Sequence, residues 1–322
     1  MAVMSFNPTV EARSKVIDIH AHYLSDGYRK ALLRHGSIGS ESDGLPAPKW
    51  SLDAHLEMMS NLNIERAFLS LASPHSYFGD DQESVELTRE INEYGADIVK
   101  KYPQRFGLFA TLPLPTVEQS LIEIEYAFDR LNAVGIKLPT NADGVYLTDE
   151  RFAPIFDALN RRRSIVVLHP VRPAVDAIVP RNTPTAVVDY LVETTRTVTD
   201  MIINGLTSRY PDIRWIIPHG GALLPSLVDR LVGMKPLLPD KSVDIRAEFS
   251  KLYYDLAGFA VPNQLLGLLR MTTVEHILYG SDYPYAFPTF IGGEMQKISS
   301  TEILSDNQRR KIFADNAKEL IA

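Results

Sequence analysis

The chain has 322 residues, 45% of them hydrophobic and 23% charged, ample material for a large core and more than one small domain requires. Lys and Arg number 33 against 40 Asp and Glu, a net charge of -7, and no basic run exceeds Arg161 to Arg163, which argues against a nucleic-acid groove. Cysteine is absent, so disulfides, thiolate nucleophiles, Cys-zinc sites and iron-sulfur clusters are excluded, and any metal must be held by His, Asp or Glu.

Residues 1–15 contain no apolar run long enough for a signal peptide, and nowhere does the chain reach the roughly 20 apolar residues of a membrane span, so a cytoplasmic protein without membrane contact is expected. Short apolar runs then recur at Val16 to His20, Ala67 to Leu71, Phe106 to Ala110, Val134 to Leu138, Ile165 to His169, Arg214 to Pro218, Leu252 to Leu256 and His276 to Gly280. Between them, spacings such as Leu52, Leu56, Met59 and Leu62, or Leu121, Ile124, Phe128 and Leu131, predict amphipathic helices. The strand runs are continuous rather than alternating, as expected of strands covered on both faces. Eight such units predict an α/β fold, a (β/α)8 TIM barrel forming a single domain over 1–322, with a doubly wound open sheet as the alternative. A long connection from Tyr23 to Trp50, rich in Gly and Pro, is read as an inserted loop after strand one. A second insertion spans Val171 to Pro184. Loops of that length in compact domains are usually lids or binding loops. Asp306 to Ala322 reads as a closing helix.

The chemistry-bearing residues fall at strand ends. In Asp18-Ile19-His20-Ala21-His22 two imidazoles share one face of an extended segment, roughly 7 Å apart. Strand five ends Val167-Leu168-His169-Pro170, strand six Ile217-Pro218-His219-Gly220-Gly221, and strand eight Tyr279-Gly280-Ser281-Asp282-Tyr283-Pro284. One buried histidine at a strand end is more often a hydrogen-bonded structural residue than a ligand. Several coinciding on the rim where barrel enzymes place their sites point to chemistry. In a barrel, His20, His22, His169 and Asp282 would supply nitrogen and oxygen ligands to one divalent cation, with water or substrate completing an open site.

These motifs resemble the amidohydrolase superfamily, and within it the branch of metal-dependent decarboxylases acting on aminocarboxymuconate semialdehyde, γ-resorcylate and 6-methylsalicylate. The resemblance runs from Ile17 to the C-terminal helix, and Glu193-Thr194-Thr195-Arg196-Thr197 is similar to the methylsalicylate-type members. It implies that His20, His22 and His169 bind the metal, that Asp282 binds it or lies against it, and that His219 stays off it and handles a proton or the bound water. Such enzymes use zinc or manganese; nitrogen-rich ligation leans towards zinc. They commonly form dimers or tetramers. Many binuclear relatives bridge two metals with a carboxylated lysine at the end of strand four, where this chain has Lys137. The branch resembled here is mononuclear, so Lys137 is expected to be a packed or salt-bridged strand residue.

The activity so implied is non-oxidative decarboxylation of a small hydroxybenzoate-like or muconate-type carboxylic acid. For an aromatic acid this is electrophilic substitution, in which the ring carbon gains a proton before carbon dioxide leaves. The metal acts as Lewis acid and template, and Asp282 or His219 delivers the proton. A carboxylate beside a cation has a lowered pKa, which favours His219, while the resemblance favours Asp282. Arg172, Arg181 and Arg196 are candidate partners for the substrate anion, although most arginines are surface or salt-bridge residues. His75 and Tyr283, with Tyr23, Tyr77, Phe78, Phe259 and Phe287, are candidate walls. His35 is expected near a lid, His55 on a helix surface and His276 at a strand start, and Asp255 is placed to orient a ligand from behind. The alternative activity is metal-dependent hydrolysis of a lactone or amide, with Asp282 as base.

Overall fold

A computed structural model describes residues 15–36, 47–173, 184–238 and 240–322. In chain order the strands are β1 (Val16–His22), β2 (Ile64–Ser70), β3 (Phe106–Thr111), β4 (Gly135–Pro139), β5 (Asn141–Ala142), β6 (Val145–Tyr146), β7 (Ile165–His169), β8 (Arg214–Ile217), β9 (Tyr253–Asp255) and β10 (Ile277–Leu278). All except β5 and β6, which pair as a small antiparallel hairpin, run parallel in one sheet of order β1-β2-β3-β4-β7-β8-β9-β10. The two edges meet through an Ala21–Tyr283 bridge, with Ile19 N donating to Tyr279 O at 3.1 Å and His22 N to Tyr283 O at 2.7 Å. This is the predicted barrel, and the closure removes the open-sheet alternative. The eight predicted runs coincide with its eight strands, with ends shifted by a few residues.

Helices α1 (Asp26–Arg34), α2 (Leu52–Asn61), α3 (Asp81–Lys101), α4 (Val117–Asp129), α5 (Ala153–Arg161), α6 (Thr185–Ile203), α7 (Leu206–Arg209), α8 (Leu224–Met234), α9 (Ile245–Lys251), α10 (Asn263–Met271), α11 (Pro288–Ser300), α12 (Asp306–Arg310) and α13 (Asn316–Ile321) complete the layer outside. None of the described helices is long and apolar enough to cross a membrane. The predicted closing helix is present, broken by a wider turn at Lys311–Asp315 between α12 and α13. The connection after β1 departs from expectation, because α1 lies within it. Ser25 caps that helix by accepting from Tyr28 N and donates to Glu90 Oε2 on α3 at 2.6 Å. Only Tyr28, Ala31 and Leu32 of α1 are buried, a stripe too sparse to stand out in the sequence. Residues 37–46 and 174–183, including Arg181, lie outside the described residues.

Two apolar clusters divide the strands by parity. On β4, Ile136 and Leu138 face outward to the helices. Phe68, Phe109, Val167, Ile216 and Leu278 face inward, over a floor made by Ala314, Ala317 and Leu320. On β1 the parity breaks. Asp18 pairs with Ala67 but Ala21 with Leu69, so Ile19 and His20 together oppose the single residue Phe68. This is a β-bulge. Ile17 and Ile19 join the inner cluster, and the extra residue turns His20 and His22 inward as well.

Asp18 holds the bulge from the outer face. Its Oδ1 accepts from His20 N at 3.1 Å and Ser281 N at 3.0 Å, tying β1 to the segment after β10. Gly280 permits this approach, since a Cβ there would lie 2.7 Å from His20 Cβ. Burial pushes the Asp18 carboxyl up to about 7, and Oδ2 has no hydrogen-bond partner among the described residues. Removing the acceptor with Asp18→Ala strands two buried amides and should cost about 2 kcal/mol or more in denaturant unfolding. Asp18→Asn keeps the acceptor. Because the unfolded carboxyl ionises near 3.8 and the folded one near about 7, this group's contribution is present below the lower value and lost as pH rises through the upper. The stability of Asp18→Asn should therefore fall less than wild type between those limits.

Candidate metal centre

β1 brings His20 and His22 to the upper rim, β7 brings His169, and the turn after β10 brings Asp282. The three histidines are at most 4% exposed. Each has Nδ1 against an acceptor: His20 on Asp255 Oδ2 at 2.8 Å, His22 on the Ser70 carbonyl at 3.2 Å, and His169 on the Pro170 carbonyl at 3.0 Å. Those partners favour the Nδ1–H form, which leaves a lone pair on each Nε2. His20 Nε2 and His22 Nε2 are 3.0 Å apart, and Asp282 Oδ1 lies 3.1 Å from His22 Nε2 and 3.4 Å from His20 Nε2. With His169 included, one ligand atom from each of the four residues lies within 4.8 Å of the others.

Four electron-rich atoms directed at one another need a shared cation, either a proton or a metal ion. Burial disfavours a charged His20, but Asp255 and Asp282 outweigh it and push the imidazole up to about 10. Burial holds His22 below its ordinary value and His169 well below. The set presents three imidazoles and a carboxylate to one point. That donor set fits one divalent cation with a position left open, and outer hydrogen bonds already fix the rings.

His219 stands beside this group. Its Nε2 is 3.8 Å from Asp282 Oδ2 and its ring centroid 5.1 Å from that of His20. Its backbone N–H donates to Asp255 Oδ1 at 3.0 Å, so Asp255, expected behind the ligands, holds both His20 and His219. The turn after β8 runs at φ 54 for His219, then φ 63 and 72 for Gly220 and Gly221. A Cβ on Gly220 would meet Gln264 Oε1 at 2.8 Å. Gln264 closes the turn, donating to the carbonyls of His219 at 3.2 Å and Ala222 at 3.0 Å.

Several expected contacts resolve differently. The Tyr283 ring is buried against His55 at 4.7 Å, away from the metal ligands. Its neighbour Tyr285, not singled out in the sequence, stands edge-on to His22 at 5.7 Å and donates to the Ser73 carbonyl at 3.3 Å. His75 is buried, with Nε2 on Thr111 Oγ1 at 2.9 Å and Nδ1 on Ser76 Oγ at 3.5 Å, so both nitrogens are engaged. Arg196 is a structural salt bridge, its Nε 3.0 Å from buried Glu193. That carboxylate also accepts from Asn141 Nδ2 and Tyr146 OH, tying the β5–β6 hairpin to α6. Arg196 thus faces the groove between α6 and α8. Arg172 is exposed, its carbonyl accepting from Asn141.

His55 is buried rather than on a helix surface and accepts from Trp50 Nε1 at 3.1 Å. Tyr23 belongs to the core, its OH donating to the Ile91 carbonyl. His35 is pinned by Glu83 at 2.8 Å and stacked on Phe78. His276 stacks on Tyr253. Tyr77 is half-buried, while Phe259 and Phe287 are exposed, Phe259 packing against Phe290. Lys137 is packed as expected, but it points into the barrel and has no ion-pair partner among the described residues.

The sequence profile of the amidohydrolase family matches residues 17–321. The 6-methylsalicylic acid decarboxylase of Aspergillus aculeatus is 34% identical over 283 residues, covering 84% of each chain. A crystal structure named amidohydrolase II is 33% identical with a TM-score of 0.91, covering 95% of this chain and 99% of that one. The 5-carboxyvanillate decarboxylase of Novosphingobium aromaticivorans, crystallised with manganese and a nitrobenzoic acid, shares the fold at a TM-score of 0.86 and 21% identity, covering 100% of this chain and 99% of that one.

Metal titration checks the centre. His169→Ala should abolish stoichiometric binding of zinc or manganese, and Asp255→Asn should weaken it by about 10- to 100-fold. His219→Asn should leave the stoichiometry unchanged.

Proposed function

We propose, from the premise that the chain belongs to the amidohydrolase family, that it is a metal-dependent, non-oxidative decarboxylase of a small hydroxylated aromatic acid. The observation that carries this reading is the convergence of His20, His22, His169 and Asp282 on one point, in a chain whose relatives at comparable length include decarboxylases of 6-methylsalicylic acid. Three imidazoles among four ligands favour zinc, with manganese, present in the carboxyvanillate enzyme, as the competing occupant. Held by these four residues, a divalent cation would supply Lewis acidity and a template for the oxygens of the acid.

The remaining work belongs to the chain's own groups. Decarboxylation breaks the bond from ring carbon to carboxyl carbon and forms a carbon–hydrogen bond, so one proton must reach the ring. Asp282 Oδ1 is committed to the nitrogens of His20 and His22. His219 stands beside the group, its Nε2 3.8 Å from Asp282 Oδ2 and its Nδ1 without a hydrogen-bond partner among the described residues. We therefore assign the proton to His219 and ligation to Asp282. The anchored backbone of His219 sets where its ring can deliver. Tyr285, edge-on to His22, is placed to face an aromatic ring, and Arg172, exposed three residues past His169, is a candidate partner for the charge of the acid.

Purified protein loaded with zinc or manganese should release carbon dioxide from 6-methylsalicylate or a related ortho-hydroxybenzoate. His219→Asn should lower kcat by about 10²- to 10⁴-fold with metal content unchanged. Turnover of lactones or amides without carbon dioxide release would instead establish the hydrolase reading.

A further inference from the structure

Among the described residues, Lys137 is the only buried lysine or arginine; it is 0% exposed, and its Nζ has no hydrogen-bond partner. Its direction follows from register. On β4 it pairs with Thr111 of β3 and Val167 of β7, and adjacent residues of a parallel sheet project to the same face. Val167 belongs to the inner cluster, while Ile136 and Leu138 belong to the outer one. The lysine therefore enters the barrel. It lies one inward-facing layer below the level at which Pro139 pairs with His169. Thr111 at its side holds His75. The Lys137 charge adds to the burial that depresses His75 and His169, which places the amine near both.

A buried amine without a partner costs stability, and such groups are few in folded proteins. Here the missing partner has a ready identity. An aromatic acid brings negative charge to the rim, and among the described arginines first considered neither provides a sealed cation: Arg196 is bound to Glu193 and Arg172 is exposed, while Arg181 lies outside the described residues. We infer that Lys137 is a substrate-binding residue of the centre, its ammonium taking the anionic oxygens of an aromatic acid from the barrel side. This inference rests on the aromatic-acid reading of the site. Burial alone brings the amine down to about 7, so an arriving anion would favour its charged form. A charge-assisted hydrogen bond at a site shielded from water gives both affinity and discrimination against neutral analogues.

The test compares metal-loaded wild type with Lys137→Met by calorimetric binding of salicylate and of salicylamide, its neutral counterpart. The variant should retain its metal, keep or raise its melting temperature because the unpaired amine is gone, and lose about 10- to 100-fold in salicylate affinity with salicylamide unchanged. Should Lys137→Met fail to fold, Lys137→Gln carries the same comparison. Undiminished salicylate binding, equal loss of both ligands, or loss of the metal would each overturn the inference. Lysine-dependent salicylate binding without carbon dioxide release from any hydroxybenzoate would sink the decarboxylase reading and leave Lys137 standing. Decarboxylation with unchanged kcat/KM in the variant would do the reverse.

Discussion

Three imidazole nitrogens and a carboxylate oxygen directed at one point repel each other unless a cation lies among them, and much of the local structure exists to impose that arrangement. No single ring would stay so oriented unaided. Each is fixed from behind, His20 by Asp255, His22 by the Ser70 carbonyl and His169 by the Pro170 carbonyl. Strand β1 carries the largest distortion. Regular alternation would send His20 to the helix side; the bulge opposite Phe68 turns it inward, and Asp18 stabilises the bulge through the amides of His20 and Ser281. The barrel thus closes at the same place where it assembles the ligands, so closure and ligation share hydrogen bonds.

The surrounding packing keeps this arrangement stiff. The barrel interior is filled below the rim by Phe68, Phe109, Val167 and Ile216, with residues of the last helix sealing the base. Above it, the β5–β6 hairpin is tied to α6 through buried Glu193. Burial lowers the effective dielectric around the ligands, which strengthens both the attraction of a cation and the cost of leaving the set without one.

The fold and the residues that converge at its rim were legible in the sequence because both rest on local patterns. Continuous apolar runs alternating with helical spacing mark the barrel, and a His or Asp closing four of those runs marks the rim. What the sequence did not disclose depends on side-chain direction. Tyr283 and Tyr285 both follow Asp282, yet only Tyr285 faces His22, because Tyr283 packs on His55 under α2. The α2 pattern of Leu52, Leu56, Met59 and Leu62 does pack on the core, but the fully buried residues of that helix are His55, Met58 and Met59, of which the spacing named only Met59. Lys137 was expected to be packed or salt-bridged; it is packed without an ion pair among the described residues, and only its pairing with Val167 reveals that it turns inward.

Asp255 joins the two halves of the centre. One oxygen orients the His20 imidazole, and the other receives the backbone amides of His219 and Ala257. Any rotation of that carboxylate which misaligns the His20 ring also shifts the backbone that carries His219. A change at Asp255 would therefore disturb the imidazole cluster and the His219 turn together, whereas a change in the His219 side chain alone would leave the cluster in place. One carboxylate thus sets the position of two imidazoles contributed by two different strands.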